Sequence, residues 1–222
     1  PLVEAEQVQP RAFQGTARVM AMVPALRADV AWPAMWARWL TAVERAVRER
    51  QDQLDVVHAA LEALHATLRV QEQHAWWHDT WPTVVRLCDV HASMTLSDLC
   101  FLVDMLHMLF VHRPCTDTNV DAMLHALYEC IAHGLYVADA LSLSHLHRLV
   151  KRVQESFEFM THKGATRAKV LDALQVCASM AYDAATMHSK HARMHAMYME
   201  LVREWLRQWL CTLDTHSHSM NE

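Results

Sequence analysis

The chain has 222 residues, 53% of them apolar and 20% charged, which excludes a disordered chain and suits one domain, or one small domain with a long arm. Three glycines and six prolines leave little material for positive-φ turns, which excludes a hairpin-rich β fold and a glycine-rich phosphate loop. A formal charge of −5, from 20 basic and 25 acidic residues, excludes global electrostatic steering toward nucleic acid.

Ala, Leu, Met, Arg and Glu, all good helix formers, dominate the chain, and the fold is read as all-α. Residues 1–32 read as an irregular N-terminal arm, broken by Pro10, Gly15 and Pro24, with one short helix near Ala17–Met22. The chain starts at Pro1, and Glu4 and Glu6 argue against a retained organellar targeting peptide; a removed presequence, a removed initiator Met and a trimmed sequence all fit that start. Residues 33–81 follow as one long helix or a coiled-coil-like helix pair. Pro33 suits a first helical turn. Trp36, Leu40, Val43 and Val47, then Leu54, Val57, Leu61, Leu64 and Leu68, alternate spacings of four and three, broken only at Arg50. That is a 3.5-residue period, and it leaves one helix and two helices meeting near Gln51–Gln53 both open.

From Pro82, read as a helix start, residues 82–182 read as stacked antiparallel hairpins, repeat-like, in a right-handed solenoid or an irregular bundle. Thr95 with Asp98, and Thr118 with Asp121, have the spacing of helix N-caps. Gly134 stands where a left-handed C′ residue would end a helix, and Gly164 sits in a turn. The stretch "MLHALYECIA" starts at Met123 and "VLDALQVCAS" at Val170, 47 residues later. At the same offset Thr95–Leu99 overlies Ser142–Leu146, and Leu102 and Val103 overlie Leu149 and Val150. These matches define two repeat units, 95–134 and 142–181, each needing a neighbour to bury its apolar side. A C-terminal helix over 183–212 and a polar tail over 213–222 complete the chain.

The hairpin opening with Ser or Thr before Leu-Ser-x-Leu, the following Leu-Val pair and the Leu-x-Ala-Leu return helix resemble degenerate helical-hairpin repeats. Such units occur in protist organellar RNA-associated proteins of the heptatricopeptide and RAP-linked type. The resemblance covers 95–181, its 47-residue period exceeds that family's usual unit, and no RAP pattern is present. It implies a mitochondrial scaffold or RNA-associated role.

Few stretches carry chemistry. His188, His191 and His195, with Met187, Met194 and Met197 close by, would share one face of a helix and could hold a soft metal ion. His74 and His78 have zinc-ligand spacing, but Ala75 stands where a metalloprotease needs its glutamate. The tryptophans Trp36, Trp39, Trp76, Trp77, Trp81, Trp205 and Trp209 are candidate anchors of a protein interface. From Asp98 to Asp139 there are six acidic residues and one Arg, whereas Arg148, Lys151, Arg152, Lys163, Arg167 and Lys169 make the next hairpin basic. Those six are candidate contacts to RNA phosphates or to an acidic partner. The six cysteines form no CxxC pair, which fits a reducing compartment. No run of 18 apolar residues exists, so no membrane-spanning helix is expected.

The expectation is a non-enzymatic accessory or scaffold subunit with no cofactor and no small-molecule substrate. Its partners would be protein subunits of a larger complex, with ribosomal RNA as a further candidate. The mitochondrial matrix is its expected location, the mitoribosome its first expected assembly, and a respiratory or ATP synthase complex the second. An RNA-binding repeat protein and a His/Met metal-binding protein are the competing readings.

Overall fold

A computed structural model describes residues 10–22, 32–49, 52–70, 77–90, 94–139 and 141–219. The chain is all-helical; the described residues hold nine helices and no strand. They are α1 (Pro10–Met22), α2 (Trp32–Glu49), α3 (Leu54–Val70), α4 (Trp77–Cys88), α5 (Leu96–Val111), α6 (Asp117–Val137), α7 (Leu143–His162), α8 (Arg167–Met187) and α9 (Ala192–Ser219). None is long and apolar enough to cross a membrane. The chain divides into two compact units, Pro1–Pro114 and Cys115–Glu222, and that boundary falls inside the 95–134 repeat unit.

In the first unit the region read as arm contains α1, whose Phe13 is buried with its ring centroid 5.5 Å from that of Trp39. The 33–81 region resolves into separate helices rather than one rod. Residues Asp52 and Gln53 are non-helical, and the Gln53 carbonyl accepts from the N–H groups of Val56 and Val57 to start α3. Every residue of the 3.5-period seam is buried except Leu54, the first residue of α3. α3 packs against α1, α2 and α5, and α4 packs against α2 and α5. Trp36 Nε1 donates to Thr80 Oγ1 at 3.0 Å, joining α2 to α4 inside the core. At the surface of the same pair, Arg86 Nε and Nη2 fork onto the two Glu44 oxygens, each at 3.0 Å.

Pro82 does not start a helix. It lies inside α4, which begins at Trp77. Proline has no N–H, so the His78 carbonyl one turn earlier lacks its helical donor. Arg113 Nη2 donates to that carbonyl at 3.0 Å, while its guanidinium lies 5.2 Å over the Trp81 ring. Desolvation there holds the Arg113 guanidinium below its usual range. Arg113→Ala is expected to destabilise the first unit by about 2 kcal/mol, from a charged hydrogen bond and a cation–π contact. Adding Pro82→Ala should recover part of that loss by restoring the missing donor. A double-mutant cycle by urea denaturation checks both.

The second unit holds α6 to α9. α6 packs against α7 and α8, α7 against α8, and α8 against α9. The buried face of α8 is Val170, Ala173, Leu174, Cys177, Ala178, Ala181, Ala184 and Ala185. So many small side chains let α9 lie close. Phe157 and Trp205, both fully buried, meet at 5.9 Å between ring centroids.

Helix ends differ from the sequence-based expectations in four places. α6 starts earlier than the Thr118 cap implied: Thr116 is the N-cap, its hydroxyl accepting from Asn119 N at 3.4 Å. Gly134 does not end that helix; it is buried inside it, and Ala138 is the C-cap. The helix expected over 183–212 is two elements, because 188–191 is a tight turn in which His191 N donates to His188 O at 2.9 Å. The tail expected over 213–222 continues α9 to Ser219.

Two expectations match the geometry. Thr95 and Asp98 form a complete capping box on α5. Gly164 has φ 93°, and Ala165 N closes onto Met160 O at 3.0 Å, a Schellman ending for α7.

The 47-residue offset pairs several buried positions with one another, although Asp98, Cys100 and Met105, all buried, fall on His145, His147 and Arg152, all exposed. Leu99 and Leu146, Leu102 and Leu149, Phe110 and Phe157, Leu127 and Leu174, and Cys130 and Cys177 are all buried. The caps at that offset are not equivalent. Ser142 makes no cap bond to α7; its hydroxyl is held by Asp139 instead.

Candidate interaction surface

Three described residues in the second unit expose more than two thirds of a large apolar side chain: Tyr136 at 80%, Leu141 at 91% and Met187 at 71%. Singly exposed apolar side chains are ordinary, but a group of them at one place is not. Tyr136 is in the last turn of α6, Leu141 lies in the α6–α7 connection, and Met187 ends α8. α9 ties these ends together. Tyr198 Oη donates to Leu135 O at 3.1 Å, and the Tyr198 ring lies 5.4 Å from that of His188.

The connection that presents Leu141 is braced. Asp139 Oδ1 accepts from Leu141 N at 3.0 Å, Ser142 N at 2.8 Å and Ser142 Oγ at 2.7 Å. The Ser142 hydroxyl, then the Ser142 and Leu141 N–H groups, hold the Asp139 carboxyl below the usual carboxylate range. An Asx turn of this kind fixes the backbone before any partner arrives, so docking there orders little new chain.

The tryptophans expected at an interface are mostly inside. Trp36, Trp39 and Trp81 are buried in the first unit and Trp205 in the second, each used by the chain's own core. Trp209 is half-buried on α9. Trp76 and the Trp77 side chain lie outside the described residues, as does His74.

The six basic candidates are not one free patch. Lys169 Nζ sits between Asp117 at 3.1 Å and Asp121 at 2.7 Å, and its pKa is raised by the hydrogen bond to Asp121 and then that to Asp117. Arg152 Nη1 pairs with Glu155 at 2.8 Å. Lys163 Nζ lies 5.7 Å from the Phe159 ring centroid, and desolvation lowers its pKa. Arg148 and Lys151 are exposed on α7. Arg167 is partly buried, and its Nε and Nη2 have no acceptor among the described residues.

His188, His191 and His195 do not share a helix face, because the α8–α9 turn separates them. His195 Nδ1 donates to Ala185 O at 2.9 Å, while the His188 and His191 ring centroids are 6.4 Å apart. Among the described residues, no three His, Cys, Asp or Glu side chains gather at metal-holding distance. Cys88, Cys100, Cys130 and Cys177 are buried, and burial pushes the Cys177 thiol up to about 12, far from a reactive thiolate.

One polar cluster has no sequence signal beyond the capping box. The Asp98 carboxylate, buried at the start of α5, also accepts from His58 Nδ1 of α3 at 2.7 Å. Two turns further along α3, His65 Nε2 lies 3.7 Å from Asp104, and the Phe101 ring sits 5.6 Å from His58 and 5.0 Å from His65. This braces α3 against α5.

No protein-family model, curated protein or solved structure matches the chain. What bears on function is a braced end of the second unit that exposes apolar side chains.

Proposed function

We propose that the chain is a non-enzymatic α-helical accessory or scaffold subunit that docks to neighbouring proteins through the exposed end formed by Tyr136, Leu141 and Met187. The observation that carries this reading is the joint exposure of those three side chains on helix ends that are otherwise well packed. Transfer of such surface out of water is worth roughly 25 cal/mol per Å², so a partner covering it gains binding energy at little ordering cost. The assembly is placed in the mitochondrial matrix, as part of the mitoribosome first and a respiratory or ATP synthase complex second. That placement is supported by the resemblance of 95–181 to protist organellar helical-hairpin repeats.

A second reading, contact with RNA, is favoured by Arg148 and Lys151, both exposed on α7.

Cross-linking and purification from the native source tests both readings. The wild-type chain is expected to bring down a defined set of protein subunits. The Tyr136→Ser, Leu141→Ser, Met187→Ser triple variant should lose most of that set while keeping its helical circular dichroism. An undiminished set sinks the docking end. RNA cross-links that vanish with Arg148→Ala and Lys151→Ala, with no protein companions, would favour the second reading.

A further inference from the structure

α9 carries two apolar stripes where a surface helix needs one. The inner stripe, Met194, Tyr198, Leu201 and Trp205, is buried in the second unit. The outer stripe runs through Val202, Leu206, Leu210 and Leu213 at spacings of four, four and three, and its three leucines are exposed. At 1.5 Å per residue it is roughly 16 Å long, three turns of helix. Beside it lies a groove between α8 and α9 of about 290 Å³, floored by Ala178 and Val202 and flanked by Tyr182 and Leu206. That is below the range of pockets that enclose a drug-sized ligand, and its position beside the leucine stripe suits a docking helix.

The charges along the groove are what choose the occupant. The α8 bank carries Asp172 and Asp183, both exposed and without an ion pair among the described residues. The α9 bank carries Arg203 and Arg207, both exposed and paired to Glu200 and Glu204 one turn back on the same helix. Such exposed i,i+3 pairs contribute little and exchange readily. The α8 bank thus presents carboxylates without ion pairs among the described residues and the α9 bank guanidinium groups whose pairs exchange readily, so the two banks are suited to meet each other.

A two-fold axis running along the groove lays α9 of one copy over α8 of the other and leaves heights along the helices unchanged. Asp172 is fifteen positions before the end of α8, and Arg207 fifteen positions after the start of α9. The two helices run in opposite directions from the 188–191 turn, so Asp172 of one copy comes level with Arg207 of the other. We propose that the α8/α9 groove and the outer leucine stripe form an isologous interface through which two copies of this chain associate. It lies along the flank of α8 and α9 and does not use the exposed end of Tyr136, Leu141 and Met187.

Sedimentation velocity on the purified full chain across a micromolar series tests it. The wild type is expected to be a dimer, and the Leu206→Glu, Leu210→Glu variant a monomer with unchanged helicity, both leucines being exposed. Asp172→Arg and Arg207→Glu should each weaken association about tenfold, and their combination should recover most of it. A wild type that stays monomeric, or a dimer indifferent to the leucine changes, overturns the interface. A dimer that responds to the leucines but not to the charge swap overturns the α9-over-α8 arrangement. A monomeric wild type whose leucine variant sheds a cross-linked subunit gives the groove to another protein's helix instead. Because the docking-end variant leaves this flank untouched, each surface can fail without the other.

Discussion

Asp98→Ala is expected to destabilise the first unit by about 3 kcal/mol, among the largest effects of any single polar substitution in the chain. Asp98 is 1% exposed, and its carboxylate accepts three hydrogen bonds. Oδ2 takes Thr95 N at 2.9 Å and Thr95 Oγ1 at 2.7 Å, closing the capping box, and Oδ1 takes His58 Nδ1 at 2.7 Å. In the fourth relation its own N–H donates to Thr95 Oγ1 at 3.3 Å. Loss of a cap costs about 1 kcal/mol, and buried charge-assisted hydrogen bonds are worth roughly 1.5–3 kcal/mol each. The Thr95 N–H and the His58 ring would lose their acceptor together. His58→Ala should cost less, about 1 kcal/mol, because His58 is partly exposed and water can reach the carboxylate in its place. Urea denaturation gives the totals, and hydrogen exchange in α3 and α5 locates them. An Asp98→Ala loss no greater than that of His58→Ala would mean that the capping box contributes nothing.

Trp205→Ala should cost the second unit about 4 kcal/mol, in the middle of the range for aromatic truncations. The indole is fully buried against Phe157. How much such a hole costs depends on whether its surroundings can collapse. Here the adjoining helix α8 offers mostly Ala and Cys on its buried face, side chains too short to swing inward. Trp205→Phe keeps much of the volume and should lose about half as much. The readout is the denaturation midpoint together with exchange protection in α8 and α9. If the alanine variant lost less than about 2 kcal/mol, the core around Trp205 would be far looser than its burial implies.

What was legible in the sequence was local. The 3.5-residue seam from Trp36 to Leu68 reports burial correctly at every position but Leu54, because helical periodicity is written in neighbouring residues. The Thr95–Asp98 box was visible for the same reason. Where a partner is distant in sequence, local reading failed. Pro82 looks like a helix start because the group that makes it tolerable, Arg113, is 31 positions away. Gly134 looks like a terminator, yet it is buried inside α6, which runs on for another three residues. The break between α2 and α3 carries no Gly or Pro, and the seam keeps its phase across it, so one helix and two could not be told apart.

The candidate surface was less legible still. Tyr136, Leu141 and Met187 are unremarkable one by one, and their proximity exists only once the helix ends that carry them are brought together by Tyr198. Tryptophans drew attention through residue type, yet most of them fill the chain's own cores. The histidines at 188, 191 and 195 drew it through spacing that presumed an unbroken helix. The second stripe of α9 was readable in principle, since Leu206, Leu210 and Leu213 are plainly periodic, but only the packing shows which of two stripes is spare.

The Arg113 brace also sets a clock on synthesis. The residue that completes the hydrogen bonding of α4 is the next-to-last of the first unit. A growing polypeptide therefore carries α4 with an open carbonyl until almost the whole unit has left the exit tunnel. Vectorial folding of this half should finish in one late step rather than helix by helix.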